Sequence, residues 1–132
     1  MIKFLNIYKQ DLNIQNKNFN DIKKIIFKNN FILGDEVNEF EKKFSKYSGA
    51  KYAVGVANGT DALTIALKIL NLPKNSEVII PAMTYCSTAF SILNAGLTPV
   101  LADIEDETPL ISIEKLIQKI NKKTKVIMPV HL

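Results

Sequence analysis

The stretch EVIIPAMTYCSTAFSILNAGLTPVLA, residues 77–102, decides the fold. It begins with a short run of Val and Ile at Glu77–Ile80, which predicts a buried strand. Apolar residues then recur at helical spacing over Thr84–Ala95, and Gly96 predicts the end of that helix. A second apolar run follows at Thr98–Ala102. A strand, a helix and a strand of these lengths form a crossover unit in which the two strands lie parallel.

The same alternation continues on both sides of this unit. Toward the carboxyl terminus the pattern predicts a helix at Ser112–Ile120 and a strand at Lys125–Val130. Toward the amino terminus it predicts a buried strand at Tyr52–Val56 and a helix at Thr60–Leu70. Four strands that alternate with three helices indicate a parallel sheet covered on both faces. The predicted fold class is therefore α/β.

The segment before residue 49 has a different pattern. Residues 1–18 are polar and rich in Asn and Gln, and we expect an extended arm that packs on another surface. Helical spacing begins at Asp21 and the pair Asn29-Asn30 predicts its end. A second helix follows, which ends before Gly49 and carries one apolar face made of Val37, Phe40, Phe44 and Tyr47.

Composition excludes several functional classes. The net charge is +4, and all 17 basic residues are lysines. Because the planar guanidinium group of arginine is the preferred side chain for binding phosphates and base edges, we expect no nucleic-acid partner. No apolar run approaches the roughly 18 residues of a membrane span, so we expect no membrane partner. The single cysteine, Cys86, excludes an internal disulfide and is typical of a reducing cytosol, which predicts a cytoplasmic protein.

The loops after the predicted strands are the candidate binding segments, because ligands of such sheets lie outside the carboxyl ends of the strands. The first loop, Ala57–Ala62, opens a helix directly. Gly59 permits a close backbone approach, and the free N–H groups of a first helical turn attract an anion such as phosphate. Two alternatives stay open here. In the first, Asn58 or Thr60 only caps the helix. In the second, the Asp61 carboxylate repels a phosphate unless its side chain turns away from the site.

Four further side chains follow the other strands. Tyr85 either packs in the hydrophobic core or stacks on the planar ring of a ligand. Cys86 has no neighbouring base in the sequence, so we predict a buried helical position rather than a nucleophile. Asp103 comes directly after its strand and can reach the crevice. His131, the only histidine, is either structural or a ligand contact.

Five segments, taken in order, match one known family. They are Phe31–Val37 with Phe40-Glu41, Ala57–Leu63, Glu77–Tyr85, Thr98–Ile104 and Met128–Leu132. Together they resemble the DegT/DnrJ/EryC1/StrS family of fold-type I pyridoxal 5'-phosphate (PLP) enzymes, mostly aminotransferases of nucleotide-linked keto sugars. The second segment is similar to the family's Asn-Ser-Gly-Thr-Asp-Ala-Leu phosphate loop, with Asn58 where serine is commoner. The last resembles the start of its Pro-Val-His-Leu-Tyr-Gly segment.

The resemblance implies a cofactor and its ligands. PLP would be held through its phosphate by the backbone amides of Gly59 and Thr60, with the Thr60 hydroxyl as a further donor. Tyr85 would stack on the pyridine ring, and His131 would join the cofactor-binding set. Gly34 would lie near the substrate or the dimer interface. No metal is implied.

The resemblance also implies partners and an incomplete site. The domain organisation would be an arm and first helix over 1–30, and part of the PLP-binding large domain over 31–132. The substrates would be a nucleotide sugar and an amino donor, and the enzyme would be a homodimer with shared active sites. The Schiff-base lysine is expected beyond Leu132, so no catalytic residue is assigned and residues 1–132 alone are expected to be inactive. A PLP-dependent sugar dehydratase and a non-catalytic α/β module that binds a phosphorylated ligand remain alternatives.

Overall fold

The computed structural model describes residues 12–132, and within that range the chain forms five helices and three strands. The helices are α1 (Leu12–Lys28), α2 (Asp35–Ser48), α3 (Gly59–Ile69), α4 (Ser87–Asn94) and α5 (Ile113–Lys119). The strands are β1 (Glu77–Pro81), β2 (Thr98–Ala102) and β3 (Thr124–Ile127). No helix between residues 12 and 132 has both the length and the apolar character needed to cross a bilayer.

The sheet has β1 at its centre, in the order β2-β1-β3, and both pairings are parallel. Glu77 pairs with Thr98 on one side and with Thr124 on the other. The N–H of Met128 donates to the carbonyl of Ile79 at 2.9 Å, so pairing continues past the end of β3. The predicted α/β class with a parallel sheet is confirmed.

Side chains of β1 are buried on both faces of the sheet because helices cover both. Val78 and Ile80 point to one face, where they pack with Leu67 of α3 and with Ile92 and Leu97. Ile79 points to the other face, where it packs with Ala102 of β2 and Leu116 of α5. A strand enclosed in this way reads as an unbroken apolar run, which is why Val78–Ile80 was recognisable in the sequence.

The chain divides into two compact units, one that ends at Gly55 and one that runs from Val56 to Leu132. The first unit contains α1 and α2, and neither helix has a buried residue. The second unit contains the sheet with α3, α4 and α5. The predicted boundary between residues 30 and 31 falls between α1 and α2, and it stays a prediction as a domain boundary.

The extended arm predicted over residues 1–18 is wrong where the structure describes it. Residues 1–11 lie outside the described part, and from Leu12 onward the chain is helical. Leu12, Phe19, Ile22 and Ile26 recur at spacings that place them on one face of α1. The Asn residues between them lower helix propensity without preventing a helix, and no Gly or Pro interrupts the run.

The strand predicted at Tyr52–Val56 is not formed. Tyr52 and Val54 are largely exposed, with 79% of Val54 accessible, and the segment belongs to none of the strands in residues 12–132. The N–H of Gly55 donates to Glu41 Oε1 at 2.6 Å instead. An apolar pattern indicates a preference for a sheet, but a strand also needs a neighbour for its backbone groups.

Candidate functional site

The carboxyl ends of β1, β2 and β3 define one edge of the sheet, called the carboxyl edge here. α4 and α5 connect parallel strands, so each begins at that edge and returns the chain to the opposite one. α3 packs against α4 and leads into β1 through the short connection of residues 70–76, so α3 also begins at the carboxyl edge. Three helix N-termini therefore meet the ends of three strands there.

The first turn of α3 is closed by a reciprocal pair of hydrogen bonds. Asn58 is the N-cap residue, and its Oδ1 accepts from the N–H of Asp61 at 2.9 Å. Its Nδ2 donates to Asp61 Oδ2 at 3.0 Å. The pair holds the Asp61 carboxylate against the Asn58 amide group. This confirms that Asn58 is a helix cap, and it gives the Asp61 carboxylate a partner within the turn.

The next two amides of that turn are left available. Among the described residues, no acceptor receives the N–H of Gly59 or of Thr60. Both lie at the positive end of the α3 dipole, where an anion is favoured. The arrangement therefore offers two neighbouring backbone donors to a negatively charged group.

Gly59 has open space where a side chain would lie. A Cβ built at this position meets no atom within 4 Å, and the backbone is not in the left-handed region. The described part of the chain thus gives neither a conformational nor a packing reason for glycine here. An approach to the backbone by a group outside the chain supplies such a reason.

Tyr85 lies in the loop that joins β1 to α4, and 74% of its surface is accessible. Its carbonyl accepts the N–H of Thr88 at 3.0 Å, and the hydroxyls of Thr84 and Thr88 are 2.9 Å apart. The alternative that Tyr85 packs in the hydrophobic core is therefore wrong. Cys86 is also exposed, contrary to the buried position predicted, because α4 begins after it rather than at Thr84.

Asp103 and His131 follow the other two strands and are both exposed. Asp103 Oδ1 accepts the N–H of Ile104 at 2.9 Å, within its own loop. It borders a cleft whose other lining residues are Ala82, Leu101, Lys115, Gln118 and Lys119. Within residues 12–132, His131 forms no hydrogen bond or ion pair.

Gly34 belongs to the first unit, where it is buried and caps the start of α2. A Cβ added to it would lie 3.1 Å from the Asn30 carbonyl oxygen and 3.0 Å from Glu36 Oε2. Local packing therefore accounts for this glycine. The residue before it, Leu33, has a φ of 51°, which is uncommon for a residue with a side chain.

The predicted site residues are thus only partly brought together. All four candidate cofactor ligands lie at the carboxyl edge of the sheet: Gly59, Thr60, Tyr85 and His131. No hydrogen bond or ion pair between described residues links them. Between residues 12 and 132 no three His, Cys, Asp or Glu side chains form a metal-binding group. The Asn58–Asp61 pair was missed, although Asn followed three residues later by an acid resembles a capping box.

Comparisons with known proteins match this chain to one family. The profile of the family described as the DegT/DnrJ/EryC1/StrS aminotransferase family matches residues 12–132. The dTDP-3-amino-3,6-dideoxy-alpha-D-galactopyranose transaminase of Aneurinibacillus thermoaerophilus is 39% identical over 132 residues. That alignment covers 100% of this chain and 36% of the relative, so the chain spans about a third of the relative's length.

Solved structures show the same partial coverage. The crystal structure of DesV from S. venezuelae superposes with a TM-score of 0.90 at 29% identity, covering 99% of this chain and 35% of that one. The E coli GDP-4-keto-6-deoxy-D-mannose-3-dehydratase, solved with bound hydrated PLP, superposes with a TM-score of 0.76 at 30% identity. It aligns with 84% of this chain and 30% of its own.

Proposed function

Because the chain belongs to the DegT/DnrJ/EryC1/StrS aminotransferase family, we propose that it supplies the phosphate-holding part of a PLP-dependent enzyme. The enzyme transfers an amino group to a nucleotide-linked keto sugar. The single observation that carries the proposal is the first turn of α3. Its Gly59 and Thr60 amides are unengaged among the described residues, and the space above Gly59 is open.

The residues of this turn fit the phosphate of PLP. The N–H groups of Gly59 and Thr60 would donate to phosphate oxygens, and the Thr60 hydroxyl would add a third donor. Such charge-assisted hydrogen bonds are worth roughly 1.5–3 kcal/mol each. Asn58 would contribute indirectly. Its amide group holds the Asp61 carboxylate, which would otherwise repel the phosphate.

The loop after β1 would hold the pyridine ring of PLP. Tyr85 is exposed there, at the start of the helix that packs on α3, so its ring is free to stack on a planar group. His131 follows β3 at the same edge, next to β1, and would be a further ligand of the cofactor.

When bound, PLP supplies an electron sink for reactions at an amino-bearing carbon. The residues described here would bind and orient it, and none of the proposed ligands is a lysine.

The substrates and the subunit arrangement follow from the family rather than from a contact on this chain. The transaminase of A. thermoaerophilus is named for a dTDP-linked amino sugar, and we propose a nucleotide-linked keto sugar and an amino donor such as glutamate here. A homodimer would cover apolar side chains that are exposed on α2, including Phe40, Phe44 and Tyr47. Gly34 would lie near that interface.

A dehydratase is the second candidate, because a PLP-containing sugar dehydratase shares the fold of this chain at a TM-score of 0.76. The two activities are distinguished by measuring their reaction products. An aminotransferase converts L-glutamate to 2-oxoglutarate when a nucleotide-linked keto sugar is present, in proportion to the amino sugar formed. Sugar deoxygenation without an amino-sugar product would favour the dehydratase. Because residues 1–132 alone are expected to be inactive, the absence of both products favours the non-catalytic module only in an enzyme that also contains the Schiff-base lysine.

Binding is tested with pyridoxine 5'-phosphate, which lacks the aldehyde and cannot react with the surface lysines. Calorimetric titration of the intact protein should show that Gly59→Val weakens binding by about tenfold or more, because a branched side chain fills the space above the amides. The matched control is Ala62→Val, which adds a similar branch to an exposed position of the same helix. Unchanged affinity in Gly59→Val would show that this turn is only a helix start.

A further inference from the structure

The opposite edge of the sheet carries a concentration of positive charge. The loop before β1 and the turn that enters β3 border a cleft of about 380 Å³. Four lysines line it, together with Pro73, Asn75 and Ser76; they are Lys74, Lys122, Lys123 and Lys125. The cleft lies at the amino ends of the strands, so it is separate from the proposed cofactor site at the carboxyl ends.

Hydrogen bonds hold the two sides of this cleft together. The N–H of Glu77 donates to the carbonyl of Lys123 at 2.9 Å. Asn121 Nδ2 donates to Glu77 Oε2 at 2.7 Å, and Asn121 Oδ1 accepts the N–H of Lys123 at 2.8 Å. The backbone that carries the lysines is therefore fixed before any ligand arrives, which lowers the ordering cost of binding.

The lysines of the cleft are not paired with carboxylates within residues 12–132. None of the four lysines forms an ion pair there, and Lys125 Nζ donates to the carbonyl of Lys122 at 3.0 Å. The carboxylate of Glu77, next to the cleft, accepts a hydrogen bond from Asn121 and offsets one of the four positive charges at most. Like charges held on fixed loops repel one another, and an anion bound among them removes that repulsion.

We propose that this cleft binds a small multivalent anion of the phosphate class, such as a diphosphate group. Lysine ammonium groups act as point charges and lack the planar fork of arginine, so the site selects charge more than shape. A concave site between two loops admits a small anion more readily than the flat surface of a macromolecule.

The test uses inorganic pyrophosphate as the probe, in calorimetric titrations of the intact protein at low ionic strength. The variant is Lys74→Gln/Lys123→Gln, because neither side chain forms a hydrogen bond with a described residue and the fold should be retained. The matched control is Lys68→Gln, an exposed lysine of α3 outside the cleft. We expect the double variant to bind about tenfold more weakly and the control to bind like the wild type.

A second variant separates this site from the proposed phosphate turn of α3. Pyrophosphate affinity should be retained in Gly59→Val, since the cleft lies at the other edge of the sheet. The proposal is overturned if pyrophosphate does not bind, if Lys68→Gln loses as much affinity as the double variant, or if binding is lost in Gly59→Val and retained in the double variant.

Discussion

The unit that ends at Gly55 and the unit that begins at Val56 contain apolar residues of the same kinds but bury them differently. In α1 and α2 no residue is buried, and several of their side-chain contacts join residues within one helix. They include the stacked rings of Phe40 and Phe44, 5.6 Å apart, and an ion pair between Lys24 and Asp21. In the second unit, strand β1 is enclosed between two layers of helices.

The difference shows that apolar periodicity and burial are separate properties. Periodicity places apolar side chains on one face of a helix, whereas burial requires another surface to cover that face. In the second unit the crossover connections bring that surface from nearby in the chain. For α2, the covering surface is the one that we propose a second subunit supplies.

The largest expected effect is in the core of the second unit. Ile79→Ala removes a fully buried side chain between β1, β2 and α5, and should lower the free energy of unfolding by about 2–5 kcal/mol. Urea unfolding of the intact protein measures it. Phe44→Ala, which truncates a half-exposed aromatic of α2, should cost clearly less. Equal losses would mean that α2 is packed in solution as tightly as the core.

A local interaction inside the second unit should have an intermediate effect. Asn58→Ala removes the side chain that caps α3 and should cost about 1 kcal/mol of unfolding free energy. Asn58→Ser keeps a capping oxygen and should recover most of that loss. Thermal unfolding of both variants checks this, and an equal loss in Asn58→Ser would show that the Nδ2 bond to Asp61 matters more than the cap.

The smallest effect is expected for a surface ion pair in the first unit. The hydrogen bond and charge of Lys24 lower the pKa of Asp21 below its ordinary value of 3.8. Any stability from the pair is present above that value and is lost as the pH falls through the lower folded pKa. Because both side chains are exposed, Asp21→Asn should leave the unfolding midpoint at neutral pH unchanged. A measurable drop would show that α1 is packed more closely in solution.

The second unit could be predicted well from the sequence because its signals are local. Glu77–Ile80 reads as a buried strand through its Val and Ile content, and the helix that follows is bounded by Gly96. The first turn of α3 was also recognisable, since a Gly-Thr pair after an apolar segment places two amides at a helix start. For the elements that form in the second unit, the helix and strand bounds differ from the predicted ones by up to three residues, as expected where ends depend on single hydrogen bonds.

The failures involve information that local patterns lack. Tyr52–Val56 has the composition of a strand, but whether a neighbouring strand pairs with it is decided elsewhere in the fold. The exposure of Tyr85 and Cys86 depended on where α4 begins, a shift of three residues from the predicted Thr84. Mutual distances between Gly59, Tyr85 and His131 depend on loops, and no spacing in the sequence specifies them.

The central place of β1 also affects the order in which the sheet is assembled during synthesis. β1 leaves the ribosome first, yet both of its partners lie later in the chain. The backbone of β1 has no strand to pair with until Thr98–Ala102 has emerged. Its second side stays unpaired until Thr124–Ile127 has emerged. Among the three strands, β1 therefore stays without a paired neighbour for the longest time, and an apolar strand with unpaired backbone groups is open to association with other chains during that interval.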